Sequence, residues 1–249
     1  MRPARGDPPP VISPFAGPVL AADAAGAAGP PLELSSQQPL RMAVLNPGRC
    51  GLLALGTDAL LDWRLQAMAQ LLHDENIDIC ITPGARFPPG AALPAGYPYC
   101  WLGERSASWG AVGIFLRPEL LPVVRPLPDV SSARVQWFEV WTSSSGATAA
   151  SGPSLVFAAV YPAPGGDVDT WSAILGELTR LRSRFRHASF LVDGEANIHL
   201  SYVLSHRPGC RCCHWHQSPE DRDIEAMLCA ASLTACNPPV PTHDFWHAH

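Results

Sequence analysis

Lysine is absent from this sequence: all 17 basic residues are arginine. That excludes a P-loop lysine and a Schiff-base lysine. Together with the abundant Ala, Gly and Pro, it reads as the composition of a GC-rich coding sequence rather than as a functional signal. A strong charge of either sign is also lacking. The formal net charge is -5, which argues against holding nucleic acid by bulk charge alone. It leaves room for a protein that meets a phosphate backbone through a few arginines. Long hydrophobic runs are missing, so no segment reads as a membrane span. Prolines interrupt every short apolar run in residues 1–40, so no secretory signal is expected there. The eight cysteines then read as reduced thiols of an intracellular protein, nuclear or cytoplasmic.

What is present supports a folded domain. Hydrophobic residues make up 47% of the 249 positions, enough to bury a substantial core. Residues 1–38 are rich in Pro, Ala and Gly and are expected to be a disordered tail; residues 39–249 are expected to be one domain. Met42 to Leu45 reads as a strand ending at Asn46-Pro47-Gly48. A helix follows from Ala59 to Glu75, with Asp58 as N-cap and Leu61, Leu65, Met68 and Leu72 on one face. Ile77 to Ile81 is a second strand, stopped by Pro83-Gly84. Further strands are expected at Tyr99–Leu102, Ala111–Leu116, Val135–Trp141 (edge-type, from its alternation) and Leu155–Val160, with a hairpin tip over 143–153.

A long helix is expected from Val168 to Arg186, with Trp171, Leu175, Leu178, Leu181 and Phe185 inward. Arg180, Arg182, Arg184 and Arg186 crowd its C-terminal end, where the helix dipole favours cations. Ser189 to Asp193 is a strand. Ser218-Pro219-Glu220-Asp221 signals a last helix through an N-cap, an N1 proline and an acidic N3 residue. Its inner face is Ile224, Met227, Leu228 and Ala231, and Leu233–Cys236 reads as a closing strand. Cys80, Cys100 and Cys229 are expected core thiols, and Trp63 and Trp171 packing residues.

Strand ends followed by polar turns are where an α/β protein places its chemistry. Here they are Asn46, Pro83-Gly84, Tyr161 and Gly194-Glu195-Ala196-Asn197. A carboxylate, two carboxamides and a phenol meeting at one rim would suit a hard cation and a phosphate. The plainer reading of Asn and Gly after a strand is a turn.

The ordered series Asn46, Asp78-Ile79-Cys80-Ile81, Trp109 to Phe115, Val160-Tyr161-Pro162, Leu191 to His199, Leu233 to Asn237 and Pro241-Thr242-His243 resembles the endonuclease/exonuclease/phosphatase superfamily. Its flavour is that of the endonuclease domains of non-LTR retrotransposons, and the match runs over residues 41–249. The resemblance implies an α/β sandwich of two mixed β-sheets flanked by helices, with the last strand or two missing from this sequence. It implies an Mg²⁺-dependent phosphodiesterase that nicks DNA. Asn46 and Glu195 would hold the metal, Glu195 would orient the attacking water, and Tyr161 and Asn197 would contact the phosphate. Oligomeric state is not implied.

Three departures accompany the resemblance. The metal-binding glutamate of the family falls on Gly84, after Pro83. The aspartate of its G-D-x-N turn is Glu195, one methylene longer, with Asp193 as an alternative acid. The terminal Asp-His pair has no counterpart up to His249: His243, His247 and His249 lie outside an S-D-H context, and Asp244 precedes Phe245. Catalysis is therefore expected to be weak or lost. The rival reading is a non-catalytic binding module. It draws on His206, Cys210, Cys212, Cys213, His214 and His216, a soft-ligand cluster that suggests zinc by density. Its C-x-C-C-H-x-H spacing lacks paired knuckles and favours a Cys/His-rich surface loop.

Overall fold

A computed structural model of the chain describes residues 40–46, 58–85, 93, 95–103, 111–141, 152–165, 167–197 and 218–233. The expected tail, residues 143–151 of the expected 143–153 hairpin tip, the Cys/His cluster and the segment from 234 onward lie outside the described residues.

Among the described residues, eight strands form two mixed sheets of four. In the first sheet the order is β1 (Met42–Val44), β2 (Ile79–Pro83), β4 (Val112–Leu116), β3 (Cys100–Gly103). Strands β1 and β2 are parallel, joined by helix α1 (Asp58–Asp74); the remaining pairs are antiparallel. In the second sheet the order is β5 (Val124–Pro126), β6 (Val135–Val140), β7 (Leu155–Val160), β8 (Ser189–Gly194). Here β7 and β8 are parallel, joined by α2 (Val168–Arg184), and β5, β6 and β7 pair antiparallel. Helix α3 (Pro219–Ala230) follows.

Side chains alternate from one side of a strand to the other, and that period builds three apolar layers. Ile79, Ile81, Val112, Ile114, Leu116, Phe138, Val140, Phe157 and Ala159 fill the space between the sheets. Their neighbours in sequence point outward. Cys80 and Phe115 meet Leu65, Met68, Ala69 and Leu72 of α1. Val135, Trp137, Val156, Ala158 and Val160 meet Trp171, Ile174, Leu175, Leu178 and Leu181 of α2 and Ile224 of α3. Both sheets are thus covered on their outer faces, the arrangement expected where strands read as continuous apolar runs.

The helix termini follow the sequence. Ser218 accepts from the Asp221 N–H, and the Asp221 side chain accepts from the Ser218 N–H, a reciprocal cap behind an N1 proline. Asp167 caps α2, accepting from the Thr170 N–H and Oγ1 at 3.1 and 2.7 Å and from the Ala163 N–H at 3.1 Å.

Several expectations are corrected. Strand β6 is internal, because the short β5 covers its outer side; β5 went unread since it has three residues and carries Pro126, which only an edge strand tolerates. Strand β2 begins at Ile79 and includes Pro83. Helix α1 begins at Asp58 itself, and α2 ends at Arg184 with Phe185 as its C-cap. Trp63 is 63% exposed, since it lies off the Leu65–Met68–Leu72 stripe. Cys229 is exposed and Cys100 half-buried; Cys80 is fully buried, and burial pushes its thiol up to about 12. No described helix is long and apolar enough to cross a membrane.

Candidate phosphate site at the strand carboxyl ends

The parallel pairs β1/β2 and β7/β8 end on the same side of the sandwich as seen by their side chains. Asn46 follows β1, and the Leu45 N–H donates to the Ile81 carbonyl at 2.9 Å, which extends the strand toward it. Gly84 follows β2. Tyr161 follows β7, its N–H donating to the Arg134 carbonyl at 2.8 Å. Glu195 follows β8, its N–H donating to the Val160 carbonyl at 3.1 Å.

Two of these four positions are joined directly. The Asn46 Nδ2 donates to Glu195 Oε2, linking the first sheet to the second. A Cβ at Gly84 would lie 3.2 Å from both Cζ and Oη of Tyr161 and 3.5 Å from Asn46 Oδ1. The phenol, the carboxamide and the backbone of Gly84 therefore share one space, and Glu195 borders it through Asn46. Asn197 sits in the left-handed region at φ 52, and its Nδ2 donates to the Pro162 carbonyl at 2.7 Å. It holds the Tyr161-Pro162 segment from one side. Arg134 Nη1 holds that segment from the other, donating to the Tyr161 carbonyl at 3.3 Å. Sequence reasoning did not single out Arg134; it precedes a strand in an ordinary turn and carries no motif.

Glycine at 194 is required by packing. Its φ is 139, and a Cβ there would overlap the Val160 carbonyl oxygen. The close approach of β8 to β7 sets where Glu195 emerges. Asp193, the alternative acid, shares the side of β8 with Leu191, which packs on the inter-sheet core. Burial raises its pKa, opposed by the Gly194 N–H that donates to its Oδ1 at 2.8 Å. It is a half-buried carboxyl two residues before Glu195, on the side of β8 that faces the inter-sheet core.

A hard cation such as Mg²⁺ takes oxygen donors, usually one or two carboxylates with waters and substrate phosphates. The donors here are the Glu195 carboxylate and Asn46 Oδ1. Position 84 supplies none, and the Tyr161 ring occupies the space in front of it. Among the described residues no group of three or more His, Cys, Asp and Glu is placed to hold a metal. The residues present do not fit a cation held by the protein alone.

No protein-family model matches the chain, and no curated protein matches it. Solved structures do. The chain superposes on the endonuclease domain of TRAS1, a telomere-specific non-LTR retrotransposon, with a TM-score of 0.53 at 13% identity, covering 82% of this chain and 76% of that one. Weaker likenesses are to the mannosyl-6-phosphatase Bt3783 of Bacteroides thetaiotaomicron VPI-5482 (TM-score 0.41, 16% identity, 64% of this chain and 65% of that one). Another is to D. rerio TDP2 in complex with single-strand DNA product (TM-score 0.36, 13% identity, 66% and 63%). The fold is a two-sheet α/β sandwich, shared with the TRAS1 endonuclease domain. At these identities the likeness is one of fold.

Proposed function

We propose that this chain grips a nucleic-acid phosphodiester at the Asn46–Tyr161–Glu195 rim and hydrolyses it slowly, as a weakened relative of retrotransposon endonucleases. The observation that carries this reading is the convergence of Asn46, Gly84, Tyr161 and Glu195 from two different sheets. A turn residue has no reason to reach across a sandwich, whereas a site does. The TRAS1 endonuclease domain supports the choice of nucleic acid over a small phosphoester.

In this reading the Tyr161 hydroxyl and the remaining Asn197 N–H donate to phosphate oxygens. Glu195, oriented by Asn46, accepts a proton from the attacking water; the new P–O bond replaces the bond to the leaving sugar oxygen, which takes its proton from solvent. General-base assistance of this kind is worth about 10²–10⁴-fold. The weakness follows from Gly84. With no ligand atom there, charge that builds on the phosphate meets neutral donors only, and electrostatic stabilisation is usually the largest catalytic contribution.

The test is nicking of supercoiled plasmid in magnesium buffer alongside DNA binding. Expected is slow nicking that falls by about 100-fold or more in Glu195→Gln, with DNA binding retained, and weakened binding in Asn46→Ala. Equal nicking by the native chain and Glu195→Gln, with DNA affinity indifferent to Asn46→Ala, would overturn the reading.

A further inference from the structure

The arginine cluster at the end of α2 divides into residues with different tasks. Arg180 donates to Glu177 at 2.8 Å, an exposed pair one turn back. Arg184 lies 4.7 Å over the ring of Phe185. Arg182 is held on two sides: Nη1 donates to the Ala231 carbonyl at 2.6 Å, and the guanidinium stands 5.8 Å over Phe190. Its Nε–H and Nη2–H edge has no partner among the described residues. That edge is the fork that meets two oxygens of an oxyanion. Arg186 is exposed and has no hydrogen-bond or ion-pair partner among the described residues.

Arg182 and Arg186 line a cleft of about 410 Å³ between the ends of α2 and α3, together with Thr179, Ser183 and Ser232. None of the residues lining it is acidic. The hydroxyls of Thr179 and Ser183 already donate to the Leu175 and Thr179 carbonyls. Ser232, left-handed at φ 55, turns the chain after α3 along the cleft wall.

The dipole reading of this cluster explains only part of the charge. Each helix C-terminus carries roughly half a negative charge, so two ends amount to about one. Two guanidinium groups exceed that by about one positive charge. Arg182 serves the α3 end through Ala231, which leaves Arg186 as surplus. A net positive cleft on a chain of net charge -5 is an anion site by local placement, against the overall balance. Two guanidinium groups and a hydroxyl around one opening suit a tetrahedral oxyanion better than a planar carboxylate, which a single fork satisfies.

We propose that the cleft between the C-terminal ends of α2 and α3 is a second anion site that takes a phosphate group, on a nucleic-acid backbone or free. It is independent of the rim. Helix α2 leads away from the Tyr161 end toward the start of β8, and its 17 residues span about 26 Å at 1.5 Å per residue.

The experiment uses the full chain carrying Asn46→Ala, so that rim binding and cleft binding separate. A fluorescein-labelled single-stranded DNA is titrated by anisotropy and then displaced with inorganic phosphate or acetate. Expected is a loss of about tenfold in affinity in Arg186→Gln, less than twofold in Arg180→Gln, and unchanged melting in both. Arg182→Gln lowers melting as well, because Ala231 loses its donor, so Arg186→Gln is decisive. Displacement by low phosphate identifies free phosphate as a ligand, and binding of DNA alone identifies the backbone; either supports the site. Equal losses in Arg186→Gln and Arg180→Gln would mean bulk charge and overturn it. So would no loss in Arg186→Gln, displacement by acetate as readily as by phosphate, or no binding of either probe.

Discussion

The Asn46 carboxamide donates to the Glu195 carboxylate across the two sheets of the sandwich. One residue follows the first strand of one sheet and the other follows the last strand of the second, so the bond fixes the spacing of the rim. Removing it should loosen both partners. Asn46→Ala is expected to cost about 1–3 kcal/mol of stability, since a partly buried carboxylate loses a donor. Chemical denaturation of the two proteins measures this, and an unchanged midpoint would mean that the bond contributes nothing.

Gly84 occupies left-handed backbone at φ 70, with the Tyr161 phenol directly over it. Gly84→Ala is expected to destabilise the chain by about 1–2 kcal/mol, the left-handed penalty of a residue with a Cβ. For the same reason Gly84→Glu does not simply restore a metal ligand: its side chain would have to displace Tyr161. Thermal melting of Gly84→Ala beside the native chain tests the strain. Equal melting temperatures would show that the position relaxes freely.

The phosphate-free rim should not hold magnesium by itself. A calorimetric titration of the native chain with magnesium chloride is expected to show no saturable binding, because the protein offers one carboxylate and one carboxamide oxygen there. Tight stoichiometric binding abolished by Glu195→Gln would contradict this.

Two carboxyls give opposite pH signatures. Burial raises Asp193 above its ordinary 3.8, opposed by the Gly194 N–H. The native state then holds a proton that the unfolded chain has released, so stability falls as pH rises from the ordinary value through the raised one. Asp193→Asn should remove that fall while keeping the acceptor for the Gly194 N–H. Asp167 is also penalised by burial, but hydrogen bonds from Thr170 and Ala163 and the charge of Arg134 outweigh this and leave it lowered. Its contribution is present above the ordinary value and lost as pH falls through the lowered one. Asp167→Ala should cost about 1 kcal/mol at neutral pH, the worth of an N-cap, and little in acid. Denaturation midpoints across pH distinguish the two.

Much of the fold was legible because its strands and helices carry clean periods. The Leu65–Met68–Leu72 stripe, the Trp171–Leu181 face and the Ser218 capping signal all lie where sequence places them. What was not legible depends on neighbours distant in sequence. Strand β5 exists because β6 offers it a partner, and its own three residues carry no period. Trp63 and Cys229 are apolar by type yet lie off their helices' inner faces. At the rim, the sequence pointed to Asn46, Tyr161, Glu195 and Asn197. It could not foresee that Asn197 and Arg134 clamp the Tyr161-Pro162 carbonyls from either side. That arrangement is a product of β6 pairing with β7.

The most direct test of a shared phosphate pocket is side-chain NMR. The amide signals of Asn46 and Asn197 and the ring signals of Tyr161 would be followed while a short DNA oligonucleotide is added to the native chain. Joint, saturable shifts of all three at one midpoint, lost from Asn197 and Tyr161 in Asn46→Ala, are the expected result. Signals that stay still at DNA concentrations which saturate the chain elsewhere would contradict the account.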